Sequence, residues 1–271
     1  MKTELKDTLS WEIEEKKIFI DGSPSANFKA LTRSDNDEVL SIMTGRYKTF
    51  TNQDLVALSE KICKAAKFRI AGYDEFQKGR KVIAYLENKT GGLEVNGHQL
   101  KEYLTIGNTH DGSGCVFIGT ANYLFRCENQ FSRVFRVFDT PHTRTMNFDS
   151  AEIKKIVEQF RKGSEELYRQ FELMKQIKAN QRMIDDLVNQ VLERGLIDST
   201  EMKASDRETL LRAGIGKEME ALGNNAWGLF NGVTWYTSHD IKNNRASIGN
   251  VNGVAQEMNN RAFKFCSALP Q

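Results

Sequence analysis

The chain has 271 residues, of which 39% are hydrophobic and 10% aromatic, enough apolar material for a folded core, so a wholly disordered protein is excluded. Its 38 basic and 36 acidic residues leave a formal net charge of +2, which excludes coating of duplex DNA through bulk charge alone. The mean hydropathy of −0.52 and the lack of any 18-residue apolar run exclude a transmembrane helix. Residues 1–10 lack the apolar stretch of a secretion signal. We therefore expect a soluble intracellular protein with no membrane partner.

The first half of the chain carries mainly strand signals, short apolar runs bounded by turn residues. A turn is predicted at Asp21–Pro24, and another over residues 107–114. A helix is predicted over residues 52–67, with Thr51 or Asn52 as its N-cap and one apolar stripe. The predicted strands cover residues 11–15, 17–20, 39–43, 68–72, 81–86, 99–105, 116–123 and 133–138.

Helical spacing takes over from Asp149 onward. Apolar residues recur three and four positions apart as far as Leu192, which predicts one long helix over residues 149–195. Two further helices are predicted over residues 209–222 and 226–238, followed by an Asn/Gly-rich stretch over 243–260. This order predicts an α+β fold, mostly antiparallel sheet followed by helices. We divide the chain into a strand-rich core, residues 1–148, and a helical region, residues 149–271, that packs on the core or extends it.

Motifs for metal, cofactor or nucleophilic chemistry are missing from the sequence. The four cysteines show no CxxC spacing, and His110-Asp111 falls in a predicted turn without further ligands near it in sequence. Neither a G-x-S-x-G elbow nor a phosphate loop is present. We therefore expect no bound metal, no cofactor and no catalytic residue, and hence not an enzyme.

The arrangement of charge is more informative than its total. Residues 46–89 carry 10 basic and 5 acidic side chains and include several aromatic residues, Tyr47 among them. Cations interleaved with aromatic rings are typical of single-stranded nucleic-acid binding, because cations neutralise phosphates and rings stack on bases. The alternative is ordinary, with the rings in the core and the lysines of the helix on a solvated face. The hairpin cations Lys78, Arg80 and Lys81 are the stronger candidates for contact with a ligand.

The chain resembles a family of phage- and plasmid-borne proteins known mainly as a domain of unknown function. The resemblance runs from about Trp11 to about His239, and its most specific parts are Asn108-Thr-His-Asp-Gly-Ser113 and the helix that contains Ala226-Trp-Gly228. The other matching residues are Arg33-Ser-Asp35, Tyr47, Asn52, Gly79-Arg80-Lys81-Val82, Tyr103-Leu104, Cys127-Glu-Asn129, Asn231 and Thr234-Trp-Tyr236. The resemblance implies a protein of the bacterial host's cytoplasm but carries little about function.

A second similarity is to single-strand annealing proteins, the RecT/Redβ recombinases of phages and their eukaryotic Rad-type relatives. The helix over 52–67, followed by strands and a basic hairpin, resembles their core in element order. This resemblance implies a twisted antiparallel sheet packed on a helix, a homo-oligomer, and a basic groove that holds single-stranded DNA. The residues then expected to contact DNA are Lys78, Arg80, Lys81, Arg133, Arg136, Arg144, Tyr47, Lys48, Asn108 and His110.

Two other functions stay open at this point. The chain could be a phage accessory protein that acts through protein contacts without binding nucleic acid, serving host takeover, counter-defence or replication. An enzyme would need a polar pocket around His110, Asp111, Asn129 and His142. The polarity of these residues is the sequence's only support for such a pocket. Asn108 and Asp111 could instead have a purely structural role, in which their side chains fix turns through hydrogen bonds to the backbone.

Overall fold

The computed structural model describes residues 9–90, 93–95, 98–124, 129–143, 146–192, 203–239 and 254–270. Two compact units interleave along the chain. The first contains residues 1–90, 103–120 and 135–161, and the second contains residues 91–102, 121–134 and 162–271. The division into domains after residue 148 stays a prediction.

A three-stranded antiparallel sheet opens the first unit, in the order β1 (Ile13–Ile20), β2 (Ser23–Arg33), β3 (Val39–Thr44). The predicted turn at Asp21–Pro24 is shorter than expected. Only Asp21 and Gly22 adopt positive φ, and β2 starts at Ser23. Strand β2 was not predicted, because its exposed half, residues 23–28, has no alternating apolar pattern.

Helix α1 (Asn52–Ala65) follows, and its predicted start is confirmed. Thr51 is the N-cap and forms a capping box with Asp54, each side chain bonded to the other residue's backbone N–H. Leu55, Leu58 and Ile62 are buried on one stripe, as the apolar spacing predicts.

The second sheet has six strands, with the order β4-β5-β7-β8-β9 and β6 paired to β7. The predicted turn over residues 107–114 is partly wrong, because β7 continues through Asn108 and Thr109 and only the residues after them turn. Antiparallel pairing of Val82 with Asn108 keeps that segment extended. The strands are β4 (Phe68–Phe76), β5 (Lys81–Asn88), β6 (Leu93–Val95), β7 (His98–Thr109), β8 (Val116–Leu124) and β9 (Asn129–Thr140).

The described residues of the helical C-terminal part include α2 (Ser150–Gln176), α3 (Gln181–Val191), α4 (Ala204–Leu222), α5 (Ala226–His239) and α6 (Val254–Ser267). The single helix predicted over 149–195 is wrong. Residues 177–180 leave the helix because Ala179 N–H donates to Asn224 and Ile177 accepts from Ala226 N–H. Asn180 then caps α3 by accepting from Met183 N–H.

Helix α6 was also missed, because the Asn/Gly-rich composition that ends at residue 260 hides an apolar stripe of Ala255, Met258 and Ala262. The predicted fold class is confirmed, since the described chain is α+β with two antiparallel sheets and a helical C-terminal part. None of its described helices is long and apolar enough to cross a membrane.

Candidate nucleic-acid interface

A partly buried ion-pair cluster joins the small sheet and the residues beside it to the β4–β5 hairpin. The Arg33 guanidinium lies 4.0 Å from the centre of the Trp11 ring and donates hydrogen bonds to Asp35 and Glu75. Trp11 Nε1 donates to the same Glu75 carboxylate at 2.5 Å. Gly79 has φ +89, and a Cβ there would lie 2.6 Å from the Trp11 ring and 2.7 Å from Arg33. A glycine is therefore required at this turn, both for its conformation and for the close approach.

His110 lies at the centre of a buried amide network. Asn52 Nδ2 donates to the Trp11 carbonyl at 2.8 Å, so its Oδ1 is left to accept from His110 Nε2 at 3.2 Å. On the other side, Asn108 Nδ2 donates to the Phe50 carbonyl at 2.9 Å and to His110 Nδ1 at 3.2 Å. These partners assign the ring proton to Nε2 and leave the imidazole neutral.

Burial favours that neutral form. It lowers the pKa of His110 to about 3, with a smaller contribution from nearby His142. Burial also lowers the pKa of His142, although the hydrogen bond to the Lys48 carbonyl opposes the shift. A neutral, fully enclosed imidazole with two amide partners holds elements together and does not present a proton to solvent.

Tyr47 and His142 stack with their ring centres 4.6 Å apart. The Tyr47 hydroxyl donates to the Thr109 carbonyl at 3.2 Å, and its burial raises the pKa of this phenol. The neighbouring Lys48 is exposed and donates from Nζ to the Met146 carbonyl at 3.0 Å. The contacts of Tyr47 and Lys48 thus fix the segment that leads into α1.

Two of the ten predicted DNA-contacting residues are buried inside the protein, and the side chains of three others lie outside the described part of the chain. Asn108 and His110 are buried in the amide network, with about 1% of each exposed. Arg133 and Arg136 lie on β9, where the structure describes the backbone alone, and Arg144 lies outside the described residues.

The predicted hairpin cations are partly engaged by the small sheet. Lys78 is exposed but lies 3.3 Å from the Glu38 carboxylate. One Arg80 Nη donates to the Val39 carbonyl at 3.4 Å, and the Arg80 Nε is buried without a partner. Lys81 is half-buried at the start of β5. The hairpin therefore offers fewer available positive charges than its sequence suggests.

Two clefts at the start of α1 carry the available charge. They share Lys48, and their volumes are about 500 Å³ and about 170 Å³. The larger one is lined by Ile13, Glu15, Lys29, Gly45, Arg46, Tyr47, Lys48, Thr49 and Thr51. The smaller one is lined by Lys48, Phe50, Asp54, Ala57, Leu58, Lys61, Met146, Asn147 and Phe148. We call this pair of depressions the Lys48 clefts.

Three of the cations in the Lys48 clefts were missed as site residues. Arg46 and Lys61 lie in the basic segment over 46–89, so its charge count could have pointed to them. Lys61 was interpreted as part of a solvated helix face, and it is indeed exposed. Lys29 lies on β2, the unpredicted strand, so no sequence signal indicated its position.

The charges in the clefts differ in availability. Lys29 donates to Glu15 at 2.6 Å; burial alone would raise the pKa of this carboxyl, but hydrogen bonds from Lys29 and Thr49 lower it. Asp54 is held by the capping box. Arg46 and Lys61, in contrast, make no hydrogen bond or ion pair within the described part of the chain.

Metal ligation has no visible basis in the structure. Over the described ranges, no group of three or more His, Cys, Asp or Glu side chains is placed to hold a metal ion.

Comparison with protein families gives one result. A family model described as "Domain of unknown function (DUF932)" matches residues 39–262, most of the chain. The chain belongs to the DUF932 family. The match excludes Trp11 and Arg33, yet the structure packs both against Gly79, which lies inside the DUF932 region. No curated protein and no solved structure matches this DUF932 protein.

Proposed function

We propose that this DUF932 protein, encoded by a phage or plasmid, binds single-stranded DNA without sequence preference through the Lys48 clefts and promotes strand annealing. The observation that carries the proposal is the shared position of Lys48. It joins two depressions lined by four cations, Lys29, Arg46, Lys48 and Lys61, and by two carboxylates. Both carboxylates already bond within the protein, so the clefts present a positive surface to a phosphate backbone.

Aromatic residues accompany this charge. The Tyr47, Phe50 and Phe148 rings line the clefts, and Phe50 and Phe148 contact edge to face, with ring centres 5.7 Å apart. Phe148 is partly exposed, so its ring is available for stacking on an unpaired base. Stacking requires unpaired bases, which favours single strands over duplex.

Arg46 and Lys61 allow a direct test, since no described internal bond is lost when they are replaced. We expect the double variant Arg46→Gln/Lys61→Gln to bind a fluorescent single-stranded oligonucleotide about tenfold more weakly than the wild type. The slope of log affinity against log salt should fall by about 1.4, since each phosphate contact contributes roughly 0.7. Fluorescence anisotropy at several salt concentrations measures both quantities.

A matched control removes the same charge elsewhere. Lys64→Gln/Lys67→Gln also lowers the net charge by two, at exposed positions at and after the end of α1 that line neither cleft. Its affinity and salt slope should stay close to those of the wild type. Equal weakening by both double variants would mean that binding depends on total charge and would refute the Lys48 clefts as the site.

The second function kept from the sequence, an accessory role through protein contacts, is favoured by a different observation. All the large hydrophobic side chains that are exposed in the described chain lie on the three-stranded sheet. Exposed apolar side chains grouped on one small sheet are typical of protein–protein contacts. If the wild type fails to bind single-stranded DNA at low salt, this second function replaces the first.

A further inference from the structure

A cavity of about 460 Å³ lies between the end of α3 and the last turns of α6. Its volume falls within the range of small-molecule binding sites. The lining residues, which include two cations and no carboxylate, are Gln190, Arg261, Lys264, Phe265, Ala268 and Leu269. We call this depression the α6 cavity.

One face of α6 supplies most of the cavity wall. The lining residues of this helix and of the turn after it recur three and four positions apart, so they lie on a common face. The opposite face is packed, because the Phe263 ring meets Phe171 and Phe230 edge to face, with ring centres 6.2 Å and 5.8 Å apart. The cavity face is therefore the side of α6 on which a ligand can bind.

Arg261 joins α6 to the end of α3. Its Nη1 donates to the Gln190 carbonyl at 3.2 Å, and its Nε donates to the Glu257 carboxylate at 3.1 Å. The Gln190 carbonyl is among the last four of α3, which lack a partner inside their own helix, so Arg261 caps this helix end. These two bonds hold the guanidinium in one orientation at the cavity wall, and Glu257 offsets its charge.

Lys264 is the cation that remains for a ligand. It is exposed, and it makes no hydrogen bond or ion pair within the described part of the chain. An ammonium group without a carboxylate partner keeps the α6 cavity positive and binds phosphate through charge-assisted hydrogen bonds. A single such cation favours a ligand with one phosphate group over a chain of phosphates.

Phe265 and Gln190 match the other parts of a nucleotide. Phe265 is half-buried, so part of its ring is available for stacking on a base. The exposed Gln190 side-chain amide makes no hydrogen bond among the described residues, and an amide can both donate to and accept from a base edge. A fatty acid would leave this amide unused, and inorganic phosphate would leave the ring uncovered.

We propose that the α6 cavity binds a nucleoside monophosphate. The phosphate meets Lys264, the base stacks on Phe265, and the base edge bonds to the Gln190 amide. This site shares no residue with the Lys48 clefts, so the inference goes beyond the function proposed above and does not depend on it.

The variants Lys264→Gln and Phe265→Leu test the two halves of the ligand. We expect the wild type to bind at least one of the four ribonucleoside 5′-monophosphates with a Kd below about 1 mM. Lys264→Gln should weaken this binding about tenfold or more, since it removes the charge that meets the phosphate. Phe265→Leu keeps an apolar side chain but removes the ring, and should weaken binding about fivefold or more. Isothermal titration calorimetry measures each Kd.

Two control variants separate this site from other positive charges. Lys203→Gln removes one charge at an exposed position outside the α6 cavity and should bind the nucleotide as the wild type does. Arg46→Gln/Lys61→Gln should also leave nucleotide binding unchanged, so a failure of DNA binding and a failure of this inference are distinguishable. The far-UV circular dichroism of all variants should match that of the wild type.

The inference would be overturned if none of the four nucleotides binds, or if Lys264→Gln or Phe265→Leu leaves the binding intact. Weakening by either control variant would place the nucleotide elsewhere and would also overturn it. The matching nucleoside and inorganic phosphate should each bind about tenfold more weakly than the nucleotide or not at all. Equal binding of either one would contradict recognition of a whole nucleotide, because half of the ligand would then suffice.

Discussion

Replacing His110 by glutamine is expected to lower the free energy of unfolding by about 2–3 kcal/mol at pH 7. The imidazole bridges Asn52 and Asn108 in a buried site, and its removal leaves both amides short of a partner. The same substitution should change how stability depends on pH. Urea denaturation of the wild type and of His110→Gln, repeated from pH 7 to pH 4, measures both effects.

The sign of the pH effect follows from the lowered pKa. The pKa of His110 is about 3 in the folded protein against about 6.5 when unfolded, so acid protonates the unfolded chain first. This histidine's contribution to stability is complete above pH 6.5 and is lost as the pH falls toward 3. Between pH 6 and pH 4 the wild type should lose about 2.5 kcal/mol more than His110→Gln.

The exposed His239 supplies the control for this experiment. His239→Gln should leave the free energy of unfolding at pH 7 close to that of the wild type. Parallel curves for the wild type and His110→Gln would show that His110 is not enclosed as a neutral imidazole, and the amide network would have to be abandoned.

The variant Gly232→Ala should be the other strongly destabilised protein. Helices α4 and α5 cross so closely that a Cβ at Gly232 would lie 2.3 Å from Ile215 Cα, a backbone atom that cannot move aside. We expect a loss of about 3 kcal/mol, which corresponds to a fall in Tm of roughly 6–12 °C for a chain of this size. Thermal denaturation followed by circular dichroism measures it.

Gly216, also in α4, provides the opposite case. A Cβ there meets nothing within 4 Å, so Gly216→Ala should raise stability by about 0.5–1 kcal/mol through the helical preference of alanine. If both alanine variants shift Tm upward, the two helices do not approach as closely as the structure places them.

The sequence predicted the elements whose signals are local. The N-cap and apolar stripe of α1 are encoded within one stretch, as are the apolar runs of β3, β5 and β8. Strand β2 and the break at residues 177–180 could not be found this way. Both depend on pairing with distant segments, β1 and β3 in one case and residues 224–226 in the other.

The predicted site residues were also limited by contacts between distant segments, which a local sequence pattern does not show. A polar run such as Asn108-Thr-His-Asp looks like a turn in sequence, because nothing local shows that Asn52 and the Phe50 carbonyl will meet its side chains. Three of the residues that carry the family resemblance, Asn52, Asn108 and His110, build this internal network. The four cations of the Lys48 clefts come from three separate segments. Lys48 was predicted individually, Arg46 and Lys61 were visible only as part of the charge of residues 46–89, and Lys29 lies outside that segment.

The central claim is best tested by measuring how the wild type binds a fluorescent single-stranded oligonucleotide between about 50 and 200 mM salt, with unlabelled duplex as competitor. We expect the affinity to fall with rising salt, with a log–log slope of about −2 to −3 from three to four phosphate contacts at roughly 0.7 each. Duplex of the same length should compete poorly. Absence of binding at the lowest salt, or equal competition by duplex, would contradict single-strand binding through the Lys48 clefts.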